Sequence, residues 1–479
     1  MADLTTLTPS LIWEMFDQIT RVPRPSKHEE QIRAWLRDFA TSHAFEWKED
    51  STGNIVIRKP ATEGYENHPT VVLQSHMDMV CEKNSAVDFD FLTEPIRTRI
   101  EEGWVKAEGT TLGADCGIGM AAQLAVLLDD TLRHPAIEAL FTVDEETGLT
   151  GAFGLADDML GGKYLINLDS EDEGELFIGC AGGVDTVVRF HYEPKPAPAY
   201  YIWYRLNIGG LKGGHSGDNI DDGLGNSNKI MARMLKAGGP KLVVAQIDGG
   251  NLRNAIPREA TALVGVPEES LMVQMSLVGD MCKAELRHTD SDLCYSFEPA
   301  DAPEKVVDAE VMNKIVLSIL GCPNGVLEMS RTMPGLVETS TNLASVKMPA
   351  EGEIVVTLSQ RSSVESAKWA AAQSVGAVFT LAGGEVKHGE GYPGWEPNPD
   401  SALVAATVEC YKELFATEPK VRAIHAGLEC GLFLEKYPQL DMVSFGPTLR
   451  GVHSPDERLE ISTVRKFWDL LADVLKRIE

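Results

Sequence analysis

The stretch Ala139-Leu-Phe-Thr-Val-Asp-Glu-Glu-Thr-Gly148 is an apolar run that ends abruptly in three acids. The run reads as a buried strand and the acids as the loop at its carboxyl end. Two consecutive carboxylates in that position point in different directions, so Glu146 can hold a metal while Glu145 faces a bound water. Alone, such a pair reads as a solvated acidic turn. The same setting recurs along the chain, however. His76 and Asp78 follow the apolar run 70–74, and Asp115 sits in the glycine-rich turn 109–119. Asp169 closes the run 164–168, and His453 lies in Gly451-Val-His-Ser-Pro455 after the run 442–445.

Working outward, Leu11, Ile12, Met15, Phe16 and Ile19 form a helical stripe that Pro23 and Pro25 end. Ser26 and Glu29 have the spacing of a capping box ahead of a second amphipathic helix carrying Ile32, Trp35, Leu36 and Phe39. Strands are expected at 54–58, 70–74, 139–143 and 164–168, with a helix at 120–128. Strands alternating with helices predict an α/β fold with a mixed, largely parallel sheet between helices, whose chemistry gathers beyond the carboxyl ends of the strands. Near Thr186 the pattern changes, and Pro194, Pro196 and Pro198 suggest a linker. Residues 186–394 read as an inserted α+β domain of two related halves, between 1–185 and 395–479. The first domain resumes with helices at 402–415 and 462–477.

With 479 residues and 43% of them hydrophobic, the chain can fill more than one core. A formal charge of −29 repels nucleic acid and anionic membranes, so neither is expected as a partner. The start Met-Ala-Asp-Leu-Thr-Thr lacks a secretory pattern, and no run reaches the ~20 apolar residues of a membrane span. The eight cysteines are scattered without a Cys-x-x-Cys, which suits reduced thiols and a cytoplasmic location.

His76, Asp115, Glu146, Asp169 and His453 offer two imidazoles and three carboxylates, a donor set suited to zinc. One arrangement uses them all: two Zn²⁺ bridged by Asp115, with one histidine and one further carboxylate on each. Two dications against three carboxylates and a hydroxide come to zero net charge, which a partly buried site tolerates. Paired metals about 3.5–4 Å apart recur in hydrolases that activate water. Glu145 is then free as general base, and Asp78 is placed to fix the His76 tautomer. Co²⁺ or Mn²⁺ could substitute for zinc.

Ser75-His-Met-Asp78, Gly113-Ala-Asp115, Asp144-Glu-Glu-Thr-Gly148, Asn167-Leu-Asp169 and Gly451-Val-His-Ser-Pro455 resemble the metal-site motifs of the co-catalytic zinc exopeptidases, which include aminoacylase, glutamate carboxypeptidase and carnosinase. Cys180-Ala-Gly-Gly183, Leu211-Lys-Gly-Gly-His-Ser-Gly217, Leu252-Arg-Asn-Ala-Ile-Pro-Arg-Glu259, Gly391-Tyr-Pro-Gly-Trp395 and His425-Ala-Gly-Leu-Glu-Cys-Gly-Leu432 resemble the branch of that family that cleaves Xaa-His dipeptides. The likeness spans essentially the whole chain. It implies a dipeptide substrate with a free amino terminus, carnosine-like, and an insertion that serves as a lid. It implies that His215 stabilises the oxyanion, that Asn254 and Arg361 hold the substrate carboxylate, and that Gly427 leaves room for backbone contact. It also implies a cis Asp115–Cys116 bond. Cys116 departs from the family, where this position is usually polar, and its side chain is expected to face away from the metals. Glu429 is a candidate partner for the substrate ammonium. An N-acyl amino acid deacylase using the same metals, and a metal-stabilised peptide-binding protein without catalysis, are the other readings; the retained Glu145 argues against the second. Monomer and homodimer both remain open.

Overall fold

The computed structural model describes residues 2–478. By contacts the chain divides into two compact units, one of Met1–Gly179, Pro397–Ala423 and Glu429–Glu479, the other of Cys180–Glu396 with Ile424–Leu428.

The first unit is built on an eight-stranded sheet in the order Glu46–Glu49, Ile55–Lys59, Ile137–Thr142, Val71–His76, Tyr164–Asn167, Asp441–Ser444, Glu175–Cys180, Lys420–Ile424. Its centre is parallel: Val71–His76 pairs in parallel with both Ile137–Thr142 and Tyr164–Asn167, and Asp441–Ser444 joins the latter in the same sense. Antiparallel pairs flank that centre. Every residue of Val71–His76 and Ile137–Thr142 is buried, as expected for strands covered on both faces. Ala114–Leu128 packs on Val71–His76 and on Ser10–Thr20, and Ala402–Phe415 packs on Ile461–Arg477. A small antiparallel sheet of Leu449–Arg450, Arg458–Glu460, Trp104–Ala107 and Thr98–Glu101 frames the loop that carries His453.

Two local expectations fail in this unit. The helix expected at 120–128 begins at Ala114, with non-helical backbone at Asp115 and Cys116. The Asp115–Cys116 peptide is cis, as the family resemblance implied. Ser26 and Glu29 do not form a capping box. The helix Glu30–Ser42 has no side-chain cap, because Ser26 Oγ donates to Asp78 Oδ2 at 2.8 Å and Glu29 Oε1 accepts from Lys27 N and Asp144 N. Both side chains are engaged by the neighbourhood of the acidic loop instead.

The second unit carries an antiparallel sheet in the order Cys294–Pro299, Ile202–Gly209, Ala260–Val266, Val243–Gly249, Val337–Lys347, Glu353–Ser362, Gly182–His191, Glu385–His388, with Gly325–Met329 also paired to Val337–Lys347. A four-stranded set and a five-stranded set meet at the single pair Gly249↔Val346. One apolar core serves both, drawing Leu206 and Val264 from one set, Val188 and Leu358 from the other, and Met234 and Phe379 from helices Ser227–Ala237 and Glu365–Leu381. The prolines at 194–198 are not a linker. Lys195–Pro196 bridges to Lys305–Val306 inside this unit, and Gly182–His191 already belongs to its sheet.

Candidate metal centre

The candidate metal ligands all lie in the first unit. Val71–His76 ends at His76, Asp115 follows a left-handed Gly113, Glu145 and Glu146 open the turn after Ile137–Thr142, and Asp169 follows Tyr164–Asn167. At Gly113 φ is +69°, and a Cβ would stand 2.6 Å from Arg24 Nη2 and 2.8 Å from Met79 Sδ, so only glycine fits there. Asp144 and His453 also hold left-handed backbone, at φ of 47° and 60°. Such conformations in non-glycine residues cost energy and persist where the surroundings enforce them.

Asp115 sits between two histidines. His76 Nε2 lies 3.1 Å from Asp115 Oδ1, and His453 Nε2 lies 3.1 Å from Asp115 Oδ2. A further carboxylate backs each ring: Asp169 Oδ1 is 3.3 Å from His76 Nε2, and Glu146 Oε2 is 3.0 Å from His453 Nε2. Asp78 ties this set together. Its carboxylate accepts the backbone N–H groups of Glu145 (3.1 Å) and Glu146 (3.3 Å), and Oδ1 lies 3.3 Å from His76 Nδ1. The same ring nitrogen lies 3.2 Å from the Asp78 carbonyl oxygen.

Three further buried residues support this arrangement, and of these the sequence pointed only to Glu429, as a partner for the substrate ammonium. Glu457 accepts the backbone N–H groups of Leu112 (2.7 Å), Gly113 (3.0 Å), Ala114 (2.7 Å) and Asp115 (3.4 Å). Arg24 donates to the carbonyls of Met77, Asp78 and Gly113, joining the loop after His76 to the loop before Asp115. Glu429 accepts from Gln74 Nε2 (2.6 Å) and Thr142 Oγ1 (2.8 Å), and Gln74 Oε1 accepts from Asn167 Nδ2 at 2.5 Å. A polar layer therefore crosses the parallel strands just beneath the residues that face the metals. Burial pushes the Glu429 carboxyl up to about 8.

The electrostatics show what this cluster lacks. Hydrogen bonds from Asp115 and then Glu146 push His453 up to about 11. Burial alone would lower His76, but Asp169, Asp115 and Asp78 together hold it well above its ordinary value. Burial pushes Asp169 up to about 6 against the pull of His76. Burial also raises Asp115, yet His453 and His76 outweigh it and hold this carboxyl far below the usual range. Both imidazoles are thus drawn toward the protonated form because three acids surround them, with Asp169 Oδ1 buried 3.3 Å from His76 Nε2. A dication between each histidine and its carboxylates would replace those protons, and the ligand atoms of Asp115, Glu146 and His453 lie within 4.8 Å of one another. The donor set fits a pair of divalent metals. Glu145 falls in a like group with His76 and Glu146, and burial first, then Asp169, Glu429 and Glu146, raises its carboxyl well above the ordinary value.

The other sequence-derived residues lie in the second unit, in two groups. His215 and Asn254 line one cavity of 780 Å³ with Lys212, Asn251 and Arg258. His215 Nδ1 lies 3.1 Å from Asp218 Oδ2, and that hydrogen bond lowers the Asp218 carboxyl. Arg361 and Gly427 instead meet at Tyr392. Arg361 Nη1 donates to the Tyr392 hydroxyl at 3.1 Å, and a Cβ on Gly427 would stand 2.8 Å from the same ring. Tyr392 is a further residue that the sequence did not single out.

Such a centre, on the carboxyl ends of parallel strands, defines a metal-dependent hydrolase. The chain belongs to peptidase family M20/M25/M40, whose pattern matches residues 72–477. It is 42% identical over 483 residues to the cytosol non-specific dipeptidase of Escherichia coli (strain K12), covering 100% of this chain and 99% of the relative. The crystal structure of aminoacylhistidine dipeptidase from Vibrio alginolyticus is similar with a TM-score of 0.93 at 42% identity, over 100% of this chain and 98% of that one. A tripeptidase from Staphylococcus aureus shares the fold, with a TM-score of 0.63 at 16% identity over 98% of this chain and 99% of that one. The protein is thus a peptidase, and the two relatives at 42% identity are dipeptidases. Among the described residues no helix is long and apolar enough to cross a membrane.

Proposed function

We propose that the chain is a cytoplasmic two-metal dipeptidase that hydrolyses dipeptides with a free amino terminus, Xaa-His dipeptides among them. The observation that carries this reading is Asp115, whose two carboxylate oxygens face two different histidines, each backed by another acid. The full-length likeness to two dipeptidases supports the substrate class. His76 and Asp169 would hold one metal, His453 and Glu146 the other, with Asp115 shared. Two zinc ions, replaceable by Co²⁺ or Mn²⁺, would polarise the scissile carbonyl and acidify a bound water.

The chain's own groups do the rest. Glu145 takes the proton of the attacking water and delivers it to the leaving amine; its burial among acids, which raises its proton affinity, suits that task. Asp78 holds the His76 ring and the Glu145–Glu146 backbone in one geometry. On the family resemblance, the second unit acts as the lid. There His215 donates to the carbonyl oxygen as negative charge develops, Asn254 and Arg361 bind the terminal carboxylate, and Gly427 keeps backbone accessible.

The test is metal analysis together with hydrolysis of a free Xaa-His dipeptide and of its N-acetylated form, for the natural protein and Glu145→Ala. Two metals per chain in both proteins, preference for the free dipeptide, and a rate lower by about 10²–10⁴ in the variant are expected. An unchanged rate rejects Glu145 as base, and preference for the acetylated substrate rejects the dipeptidase reading in favour of a deacylase.

A further inference from the structure

Cys116 has no task in the chemistry proposed above, yet its thiol does not face away from the metal centre as the sequence led us to expect. One ligand atom each of Cys116, His76 and Asp169 lie within 4.8 Å of one another, close enough for a single ion to touch all three. The thiol is 1% exposed and donates to Leu168 O at 3.3 Å. Asp169 is 10% exposed, and its Oδ1 lies 3.3 Å from His76 Nε2. The group of Asp115, Glu146 and His453 differs in kind: it offers only nitrogen and oxygen, and its histidine is 50% exposed.

We propose that Cys116 is a further metal ligand, making the His76–Asp169 half of the centre a soft site that prefers thiophilic dications such as Cd²⁺ and Zn²⁺ over Mn²⁺. The inference rests on the two-metal reading. Thiolate sulfur favours soft and borderline ions, whereas carboxylates accept hard ones equally well, so one added sulfur separates two otherwise similar half-sites. The half-site thus offers three mutually close donors of three kinds, a nitrogen, an oxygen and a sulfur. Coordination forms a sulfur–metal bond, breaks the S–H bond and releases its proton to solvent, and the donation to Leu168 O is given up. No electrons are exchanged.

Metal-free protein titrated with CdCl₂ and followed in the ultraviolet tests this, with Cys116→Ser and Cys116→Ala beside the natural chain and MnCl₂ titrated calorimetrically in parallel. The natural protein is expected to show a thiolate-to-cadmium charge-transfer band that saturates at one equivalent. Both variants lose the band and bind Cd²⁺ more weakly, while their Mn²⁺ affinity is unchanged. A band that survives in the variants, or cadmium binding without a band in the natural protein, overturns the thiol ligand and leaves the two-metal reading standing. Binding of neither cation to any of the proteins overturns both. If neither variant folds, cadmium-113 resonance of the natural protein decides: one signal in the thiolate range and one in the nitrogen–oxygen range are expected, and two of the latter kind overturn the proposal.

Discussion

Glu457 Oε1 accepts the Ala114 N–H at 2.7 Å, so a residue four places after His453 holds the backbone one place before Asp115. The two segments that meet at Asp115 are joined by this buried acid. Glu457 is 2% exposed, and its loss strands the N–H groups of Leu112, Gly113 and Ala114. Each buried donor without a partner costs about 1–3 kcal/mol. Glu457→Ala is expected to lower unfolding free energy by at least about 2 kcal/mol and to reduce bound metal below two per chain. Denaturant titration and metal analysis check this; a variant with full stability and full metal content would show that the loop holds itself.

Chelation should reverse the way stability depends on pH. Without metal, His453 is pushed up to about 11 from an ordinary 6.5, and Asp169 up to about 6 from 3.8. A folded pKa above the unfolded one gives stability that is whole below the unfolded value and lost as pH rises. The metal-free protein should therefore lose thermal stability as pH rises from about 4 to about 6 through Asp169, and again from about 6.5 to about 11 through His453. The metal-loaded protein should not, because metal binding requires the deprotonated ligands. Melting temperatures of both forms across this range measure the difference, and parallel curves would count against a metal at these residues.

His425, in the second unit, works in the opposite sense. It is 6% exposed with Nε2 2.7 Å from Ser340 Oγ, and burial, helped by Arg361, pushes it down to about 4 from 6.5. The unfolded chain binds the proton more readily, so this stability is complete above pH 6.5 and lost as pH falls toward about 4. The contribution is up to about 3 kcal/mol. His425→Asn should flatten the acid side of the stability profile, measured by urea unfolding at several pH values; an unchanged slope would reject a neutral, buried His425.

Arg361 and Tyr392 should separate binding from chemistry. If Arg361 holds the substrate carboxylate through its paired N–H groups, Arg361→Lys should raise KM by about tenfold or more with a smaller change in kcat. Tyr392→Phe removes one hydrogen bond worth about 0.5–1.5 kcal/mol from the arginine and should raise KM about two- to tenfold. Steady-state kinetics on an Xaa-His dipeptide read both effects, and a fall in kcat at constant KM would place these residues elsewhere in the reaction.

The residues around the centre differ in how they can be read from the chain. His76, Glu145, Glu146 and Asp169 announce themselves because each interrupts an apolar run at the point where a buried strand ends. Glu457 and Arg24 do not, because only the tertiary fold brings each, buried, against backbone distant in sequence, and Glu429, read as a partner for the substrate ammonium, is held instead by Gln74 and Thr142. The failed capping box has the same cause: Ser26 and Glu29 find stronger partners in Asp78 and the Asp144 backbone than in their own helix. Ser270–Glu285 was not anticipated because its apolar residues Val273, Leu277 and Met281 are exposed, which blurs the periodic signal.

The first unit is completed by segments from the far end of the chain, and this has a consequence for how the protein comes into being. A growing chain that has passed the ribosome as far as Asp169 already carries three of the acids and one histidine, but neither His453 nor Glu457. Until the last stretch emerges, Asp115 lacks its second imidazole and the clamp on its loop. If His453 completes the centre as proposed, hydrolysis is expected only once residues 453 to 457 have joined the rest of the site.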